Sequence, residues 1–313
     1  MNRIICGVDV SKEWLDVHVW PAGMTGRFGN DASGIAELAA LCARHAVDLV
    51  AMEASGGYER LAVLLLSELG QPCAAPLNAR NVRRFAEAMG FLEKTDRIDA
   101  GVIAHYAEVR KVRPAPPPSP AQQRLKALVS RLSQVTGDLV ANKQRRAAAS
   151  SAETLDSIDE VIVLLKRQER RLSGEIASLI DDDPLWARLD AALRTVKGVA
   201  SRTVAVLMAQ VPEIGLISNK AVAKVTGLAP IANDSGSRQG YRPVRGGRAG
   251  PRSILFLIAR IAARYDPHLK AFHDRLQKAG KPKMVIRIAL ARKLLVILNA
   301  KARDARNELA NAT

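Results

Sequence analysis

The chain has 313 residues, 48% of them hydrophobic, which suffices for one large core or two modest ones, and two domains are expected. Lys and Arg outnumber Asp and Glu by 47 to 31, and the resulting net charge of +16 favours a polyanionic partner. The longest apolar runs, such as residues 61–66 and 161–165, are far shorter than the roughly 20 residues that span a bilayer, which argues against a membrane protein and for a cytoplasmic one.

The first 113 residues alternate between strand and helix patterns. Two short runs rich in β-branched residues, 4–10 and 14–20, predict a β-hairpin. The next predicted elements are a strand near 27–29, a helix over 32–45, a strand over 49–53, a helix over 60–69, a short strand near 73–77, and helices over 79–89 and 96–112. A hairpin followed by crossovers is typical of an α/β domain of the ribonuclease-H or RuvC kind. Cys6, Cys42 and Cys73 lack CxxC spacing and are interpreted as core thiols.

A proline-rich segment that begins at Pro114 cannot continue a helix, so the first domain boundary is placed there. Beyond it, two stretches with apolar residues in three- and four-residue steps predict two long helices that pair as a coiled coil within residues 114–184. The apolar positions are Leu125, Leu128, Leu132, Val135 and Leu139, then Ile158, Ile162, Leu165, Leu172, Ile176 and Leu179. The pair is either an antiparallel hairpin within one chain or a contact in a dimer or tetramer, because heptads alone do not fix the oligomeric state.

Residues 185–313 are predicted to form a mainly helical domain, with helical patterns over 189–211 and 255–263. Between Gly236 and Lys293 there are fifteen Lys or Arg and two acids, so this stretch carries thirteen of the sixteen net positive charges, and phosphate contact is its expected use. The turn around Lys197 and Gly198 resembles that of a helix-hairpin-helix element, whose amides grip a DNA phosphate. An ordinary turn between two helices explains these residues equally well, since Ala200 stands where a second glycine is usual.

Four carboxylates, Asp9, Glu53, Asp96 and Asp99, stand at the ends of predicted strands or on one face of a predicted helix. Four convergent carboxylates repel one another unless divalent cations lie among them. Ligand sets made only of oxygen select Mg²⁺, with Mn²⁺ as a possible substitute, over zinc. Two such ions would activate an attacking oxygen and stabilise a leaving oxygen in phosphodiester cleavage.

Each of these acids also has a purely structural explanation. Asp9 suits a turn cap, Glu53 suits a solvated strand end, and Asp96 suits an N-cap with Asp99 at the third helical position. For any one of the acids alone, the structural explanation is favoured. For all four acids together, it is less satisfactory. Asp16 is left out of the set, because a cation such as Lys12 would explain it.

Ser235 is the candidate nucleophile, because it precedes Gly236 in a loop of small and polar residues. Nearby arginines would stabilise a pentacoordinate phosphorane and bind nucleic acid. These arginines are Arg238, Arg242, Arg245, Arg248 and Arg252. No fitting general base is apparent beside the serine, a Ser-Gly pair is usually just a turn, and the arginines also suit a solvated loop.

Five blocks of the sequence carry a family resemblance that covers nearly the whole chain. They are GVDVSKEWLDV, MEASGGYE and KTDRIDA in the first half, with VKGVASRTVAVLMAQVPEIG and GLAPIANDSGSRQGYRPVRGGRAGPR in the second. They resemble the DEDD-type transposases of insertion sequences, which are related to the Piv-type DNA invertases. The resemblance implies a RuvC-like domain, a coiled-coil middle and a C-terminal transposase domain.

The same resemblance implies roles for particular residues. Asp9, Glu53, Asp96 and Asp99 would bind Mg²⁺, and Ser235, rather than Ser237, would join covalently to DNA. The site would be composite, with the carboxylates of one subunit meeting the serine of another in a dimer or tetramer. A structured non-coding RNA encoded by the element would guide the enzyme.

The sequence therefore predicts a site-specific recombinase that excises and inserts its own element in donor and target DNA, in the cytoplasm and associated with the nucleoid. A RuvC-like junction nuclease that uses water is one alternative, and it predicts that a Ser235→Ala variant still cuts. A catalytically silent nucleic-acid scaffold is another, and it predicts indifference to Mg²⁺ and to Asp9→Asn. No residue encodes the target, since an RNA-guided enzyme reads bases through pairing.

Overall fold

The computed structural model describes residues 3–91, 96–236, 240 and 242–311, with the side chains of residues 96–98 left out. The chain forms two compact units, Met1–Pro118 and Ser119–Thr313. The boundary between the units lies in the proline-rich segment. The three-part division at residues 113 and 184 remains a prediction.

A four-stranded sheet in the order β3-β2-β1-β4 forms the centre of the first unit. The strands are β1 (Ile5–Val10), β2 (Trp14–Trp20), β3 (Met24–Gly29) and β4 (Leu49–Met52). The predicted hairpin is confirmed, because β1 pairs antiparallel with β2, while β1 pairs parallel with β4 after a crossover. The third strand begins earlier than predicted, at Met24.

Helices cover both faces of this sheet and form two separate hydrophobic cores. They are α1 (Ala32–Arg44), α2 (Glu59–Glu68), α3 (Ala79–Ala88) and α4 (Asp96–Val109). Val8, Val50 and their neighbours share a core with residues of α1 and α2. Ile5, Leu49 and Ala51 share the other core with residues of α3 and α4. This mixed α/β arrangement fits the predicted ribonuclease-H-like domain.

The segment at residues 73–77 differs from the predicted strand. Val50 bridges to Cys73 and Glu53 bridges to Leu77, both in parallel, but no continuous strand forms between them. Pro76 has no amide hydrogen to donate, which interrupts a ladder at this point. All three cysteines of the chain are free and buried in this unit, as predicted.

Two long helices, α5 (Pro120–Ala148) and α6 (Ala152–Asp181), open the second unit and pack against each other in antiparallel directions. Arg146 of α5 pairs with Asp159 of α6, and Thr136 lies beside Glu169. Most of the predicted heptad residues are buried between or beneath these helices. The pair is thus a hairpin within one chain. A coiled coil that also joins subunits remains a prediction.

The rest of the second unit is helical and shares one core with the long hairpin. Its helices are α7 (Pro184–Arg194), α8 (Ser201–Gln210), α9 (Asn219–Val225), α10 (Ala249–Tyr265), α11 (Pro267–Lys278) and α12 (Lys283–Ala310). The helical pattern over 189–211 forms parts of α7 and α8, separated by the predicted turn at Lys197 and Gly198, where Gly198 has a positive φ of 91°. Within the described residues, no helix is long and apolar enough to cross a membrane.

Candidate functional site

Two of the predicted carboxylates lie at the same edge of the sheet. Asp9 is the fifth residue of β1, and Glu53 directly follows the parallel strand β4. Gly7 pairs with Ala51 and Val8 with Met52, so the next positions along the two strands bring Asp9 and Glu53 side by side. Because side chains alternate along a strand, both point to the face on which Ala51 packs against α4.

Helix α4 approaches this face closely because residue 7 is a glycine. A Cβ at Gly7 would lie 2.1 Å from the carbonyl oxygen of Ala100. Farther along α4, Gly101 lies against His18, and His105 stacks on Trp20 with ring centroids 4.8 Å apart. The helix therefore runs antiparallel to β1.

The first turn of α4 consequently lies toward the Asp9 end of β1. This turn carries Asp96 and Asp99, the other two predicted carboxylates. Asp9, Glu53 and Asp99 are all half-buried, whereas the side chain of Asp96 lies outside the described residues. We call the ends of β1 and β4 together with the first turn of α4 the carboxylate edge.

The carboxylate edge has the donor chemistry of a Mg²⁺ or Mn²⁺ site, because its candidate ligands are all carboxylate oxygens. Among the side chains that are described, no three from His, Cys, Asp or Glu lie close enough together to form a metal-binding group. The fourth candidate, Asp96, is not among those side chains. The fit thus rests on ligand type and on the convergence of three elements.

The loop after Glu53 is held by Glu59, a residue that the sequence analysis did not single out. Its carboxylate accepts hydrogen bonds from the amides of Ser55 (3.1 Å) and Gly57 (2.8 Å) and from the Ser55 hydroxyl (3.2 Å). Burial acts to raise the pKa of Glu59, but these hydrogen bonds outweigh it, and the net pKa lies below the ordinary value. Glu59 is therefore ionised and shapes the loop.

Asp16, the acid left out of the set, has a cation partner. The Arg27 guanidinium on β3 donates to both of its carboxylate oxygens, at 2.8 and 3.0 Å. The partner is thus Arg27 and not Lys12. Asp16 is explained by an ion pair on the sheet surface.

Ser235 lies in a loop of the second unit whose two ends meet at a β-bridge; its described residues, 230–236, 240 and 242–244, are called the serine hairpin. Pro230 and Val244 bridge its base, and the Ile231 amide donates to the Pro243 carbonyl at 3.0 Å. Nearer the tip, the Asp234 carboxylate accepts from the Gly240 amide (3.2 Å) and the Arg242 guanidinium (2.6 Å). These bonds hold the backbone next to Ser235, which is exposed.

The predicted arginines of this region have different surroundings. Arg248 donates to both oxygens of Glu213 and to the Gln210 carbonyl, each at 2.7 Å. Arg252 donates to the Gly246 carbonyl at 2.6 Å. Arg242 pairs with Asp234, whereas Arg245 is exposed and has no hydrogen bond or ion pair with the described residues. Arg238 lies outside the described residues, as does Ser237.

Gly246 and Gly247 separate Arg245 from Arg248, and glycines beside arginines would suit close approach to a nucleic-acid backbone. The structure shows that they pack against the chain itself. A Cβ at Gly247 would lie 2.2 Å from the Gly227 amide, and one at Gly227 would lie 2.2 Å from the Gly246 carbonyl oxygen. All three glycines have positive φ angles, so these backbones touch in a conformation that favours glycine.

The turn with Lys197 and Gly198 connects α7 to α8 and packs on α10. A Cβ at Gly198 would lie 3.1 Å from the Ala262 amide nitrogen. Lys197 is exposed, and α8 begins at Ala200 without a side-chain cap. Uncapped amides at the start of a helix suit an anion, so phosphate contact remains a prediction for this turn.

An apolar cleft of about 580 Å³ lies beside the serine hairpin. Leu228, Pro230 and Phe272 contribute to its walls, and Arg292 and Lys293 are among its polar residues. The Lys293 ammonium lies 4.8 Å from the centre of the Phe272 ring. Cationic side chains thus line the cleft beside the serine hairpin, and Lys293 contacts the Phe272 ring.

The net positive charge of the chain is carried by the second unit. The first unit contains 13 Lys or Arg and 14 Asp or Glu, whereas the second contains 34 and 17, so their net charges are −1 and +17. The candidate metal-binding residues therefore lie in a nearly neutral unit. The surface suited to phosphate lies in the other.

Two family models match this sequence. A model of DEDD transposases of the IS110 type, described as "Transposase", matches residues 6–149. A model described as "Transposase IS116/IS110/IS902 family" matches residues 190–274. Asp9, Glu53, Asp96 and Asp99 fall within the first match, and Ser235 falls within the second.

Similar proteins extend the match to full length. The pilin gene-inverting protein of Moraxella bovis is 27% identical over 321 residues, covering 98% of this chain and 98% of its own. That of Moraxella lacunata is similar to the same extent. An uncharacterized 42 kDa protein of insertion element IS900 from Mycobacterium paratuberculosis is 39% identical over 85 residues, which is 26% of this chain and 21% of its own.

Proposed function

Because the chain belongs to the IS110 family of transposases and is a DNA recombinase, we propose that it cuts and rejoins DNA with a carboxylate site and Ser235. The recombinase would excise and insert its own insertion sequence. The observation that supports this most directly is the carboxylate edge, where two strand ends and the start of α4, each with a candidate acid, lie toward the same edge of the sheet.

Asp9, Glu53, Asp96 and Asp99 would hold Mg²⁺ or Mn²⁺ at this edge. The bound ions would supply Lewis-acid activation of the scissile phosphate. The protein contributes the placement of the ligands, because Gly7 admits α4 to the sheet and Glu59 shapes the loop after Glu53. Because the first unit is nearly neutral, it would bind DNA phosphates only when these cations are in place.

Ser235 would act as the nucleophile. Its Oγ would attack the scissile phosphorus, forming a serine–phosphate ester while the bond from phosphorus to the leaving DNA oxygen breaks and that oxygen takes up a proton. The hydroxyl of another strand would then attack the ester, regenerate the serine and rejoin the DNA. The ester conserves the energy of the phosphodiester, so rejoining needs no ATP.

The second unit would supply most of the nucleic-acid affinity. Its net charge of +17 and the exposed Arg245 support contacts with DNA phosphates. A structured non-coding RNA would select the target by base pairing, so the protein itself would need no residue set that specifies a sequence. A dimer or tetramer would bring the carboxylates of one subunit to the serine of another.

Covalent capture tests the proposal and separates it from a water-using nuclease. Purified protein, Mg²⁺, RNA from the flanks of the element and labelled donor-junction DNA are incubated and then denatured. Label should remain on the protein, and both Ser235→Ala and Asp99→Asn should abolish that signal. Cutting by Ser235→Ala without any adduct would reject the serine step, and activity that is indifferent to Mg²⁺ would reject the metal site.

A further inference from the structure

The hydrogen-bond ladder between β1 and β4 stops short of the proposed metal ligands. Its last paired residues are Val8 and Met52, so Asp9 and Glu53 stand one position beyond it. Two carboxylates at neighbouring strand ends repel each other when no cation is bound. Each strand end is held to another neighbour, since β1 stays paired with β2 as far as Val10 and Glu53 bridges to Leu77. A link between the two ends themselves has to come from outside the β1–β4 ladder.

Asn30 makes the missing connection. This residue lies between β3 and α1, and its side-chain amide nitrogen donates to the Ser11 carbonyl at 2.9 Å and to the Tyr58 carbonyl at 3.2 Å. Ser11 follows Asp9 by two residues, and Tyr58 belongs to the loop that follows Glu53. Both partners are carbonyl oxygens, which only accept hydrogen bonds, so the atom that faces them is the nitrogen.

The two connected loops are themselves stiff. Ser11 closes its turn by hydrogen bonds with Trp14, and the Asn30 amide donates to the Glu13 carbonyl at 2.9 Å. Tyr58 directly precedes Glu59, whose carboxylate holds the amides of Ser55 and Gly57. A displacement at either loop is thus transmitted through Asn30 to the other.

The Asn30 side chain is half-buried, and its oxygen is shielded from solvent without a donor among the described residues. An acceptor in that position is unfavourable, whereas the two bonds from the nitrogen are satisfied. The two satisfied N–H donors, rather than the unsatisfied oxygen, are therefore the functional part of this side chain. A side chain without them would leave two carbonyl oxygens without these hydrogen bonds and the strand ends without a link.

We infer that Asn30 is a positioning residue that fixes the distance between Asp9 and Glu53 and so prepares the carboxylate edge for its metal ions. This role rests on the proposed function of those acids. Residues that orient metal ligands typically change metal affinity by about 10- to 100-fold when they are replaced. Loss of Asn30 should therefore weaken metal binding by more than its effect on the stability of the fold explains.

Titration of the full-length protein with Mn²⁺ alone, with free Mn²⁺ measured by electron paramagnetic resonance, tests the role without relying on activity. Asn30→Ala should raise the Mn²⁺ Kd about 10- to 100-fold. Asn30→Asp keeps the shape and loses the donors while adding a negative charge. The charge alone would tighten Mn²⁺ binding, so weaker binding by this variant specifically indicates the lost link.

Asp48→Ala is the matched control, because Asp48 links the same two strands at their opposite end by accepting from the Ile4 amide at 2.8 Å. Asp48→Ala should lower the thermal unfolding temperature about as much as Asn30→Ala yet keep the wild-type Mn²⁺ Kd. If the Asn30 variants bind Mn²⁺ as the control does, the positioning role is wrong. If Asp9→Asn also binds normally, the metal site itself is wrong, and the role of Asn30 is rejected with it.

Discussion

Arg245 and Arg248 stand three positions apart in one basic loop, but only one of them is available to a ligand. Arg248 is engaged with Glu213 and the Gln210 carbonyl, and its own amide donates to the Val225 carbonyl at 2.7 Å. Arg245 is exposed and makes no such bond within the described residues. A count of positive charges along the sequence cannot distinguish these two situations, because it does not show which acids are nearby.

The two arginines should respond differently to truncation. Arg245→Ala should weaken DNA binding and reduce the slope of log affinity against log salt by about 1, with unchanged unfolding temperature. Arg248→Ala should instead lower the free energy of unfolding by about 0.5–1 kcal/mol, because Glu213 loses its charged partner in a pair that is partly screened by solvent. Salt-dependent binding and denaturant titrations of both variants measure this. Equal losses of stability would contradict the distinction.

Glu213 gives this ion pair a defined pH dependence. Burial acts to raise the pKa of Glu213, but the hydrogen bonds from Arg248 outweigh it, so the folded pKa lies below the ordinary value of 4.5. The carboxylate therefore stabilises the fold at pH values above 4.5, and this stabilisation is lost as the pH falls through the folded pKa.

Glu213→Gln should remove that part of the acid sensitivity. The unfolding temperature of the wild type should exceed that of the variant near neutral pH, and the difference should shrink as the pH falls below about 4. Circular dichroism melts across this range measure the effect. A difference that stays constant with pH would show that the ionised carboxylate is not the source of the stabilisation.

At the scale of elements, the position of α4 depends on the contact between its backbone and β1. Gly7 is buried, and the carbonyl oxygen of Ala100 occupies the space where a side chain would begin. Interiors are packed too densely to absorb an extra methyl group at such a contact without a shift. Because α4 carries Asp96 and Asp99, a shift of this helix moves two proposed ligands.

Gly7→Ala and Gly101→Ala form a matched pair at this contact. Gly7→Ala should destabilise the first unit by about 1–3 kcal/mol, since its Cβ would lie 2.1 Å from the Ala100 carbonyl oxygen. Gly101→Ala should be neutral or stabilising by up to about 1 kcal/mol, because its Cβ would lie 3.6 Å from the His18 ring and alanine favours a helix. Denaturant unfolding of both proteins tests this, and equal stability would contradict the packing argument.

The sequence predicted the elements that have strong periodicity and clear ends. The β1–β2 hairpin and the two long helices are confirmed, since alternation and heptads come from residues that share one buried face. The strand predicted at 73–77 was wrong in part, because Pro76 interrupts a pattern that remains apolar throughout. The turn predicted at Lys197 and Gly198 is confirmed, and it divides the helical pattern over 189–211 into α7 and α8. The pattern of local hydrophobicity does not show that Pro76 lacks an amide hydrogen.

The site was predictable only to the level of residue type. Acids at strand ends could be selected because parallel strands place their carboxyl ends at one edge. Asn30 could not be selected, since its partners are backbone atoms of two loops whose meeting depends on the tertiary fold. Glu59 could not be selected, since its bonds to the nearby Ser55 and Gly57 depend on a loop conformation that the hydrophobic pattern does not show. The positions of Asp9, Glu53, Asp96, Asp99 and Ser235 in the chemistry stay predictions.

At the scale of the whole molecule, charge and chemistry are divided between the two units. The net charges of −1 and +17 mean that salt should weaken nucleic-acid binding chiefly through the second unit. The proposed ligands lie in the first unit, where charge is balanced. A substitution in the second unit should therefore change how nucleic-acid affinity depends on salt. A substitution in the first unit should change how activity depends on the metal ion.

The reactivity of the buried cysteines can show when the first unit opens. All three thiols of the chain lie in that unit, burial raises the pKa of Cys73 to about 11, and a hydrogen bond with Cys42 together with burial raises the pKa of Cys6. Thiols in this state react with alkylating reagents only when the structure opens. The alkylation rate of the intact protein should therefore rise with Gly7→Ala and stay unchanged with Arg248→Ala. Mass spectrometry can measure both rates, so that one chemical label follows the transient opening of the first unit of the enzyme.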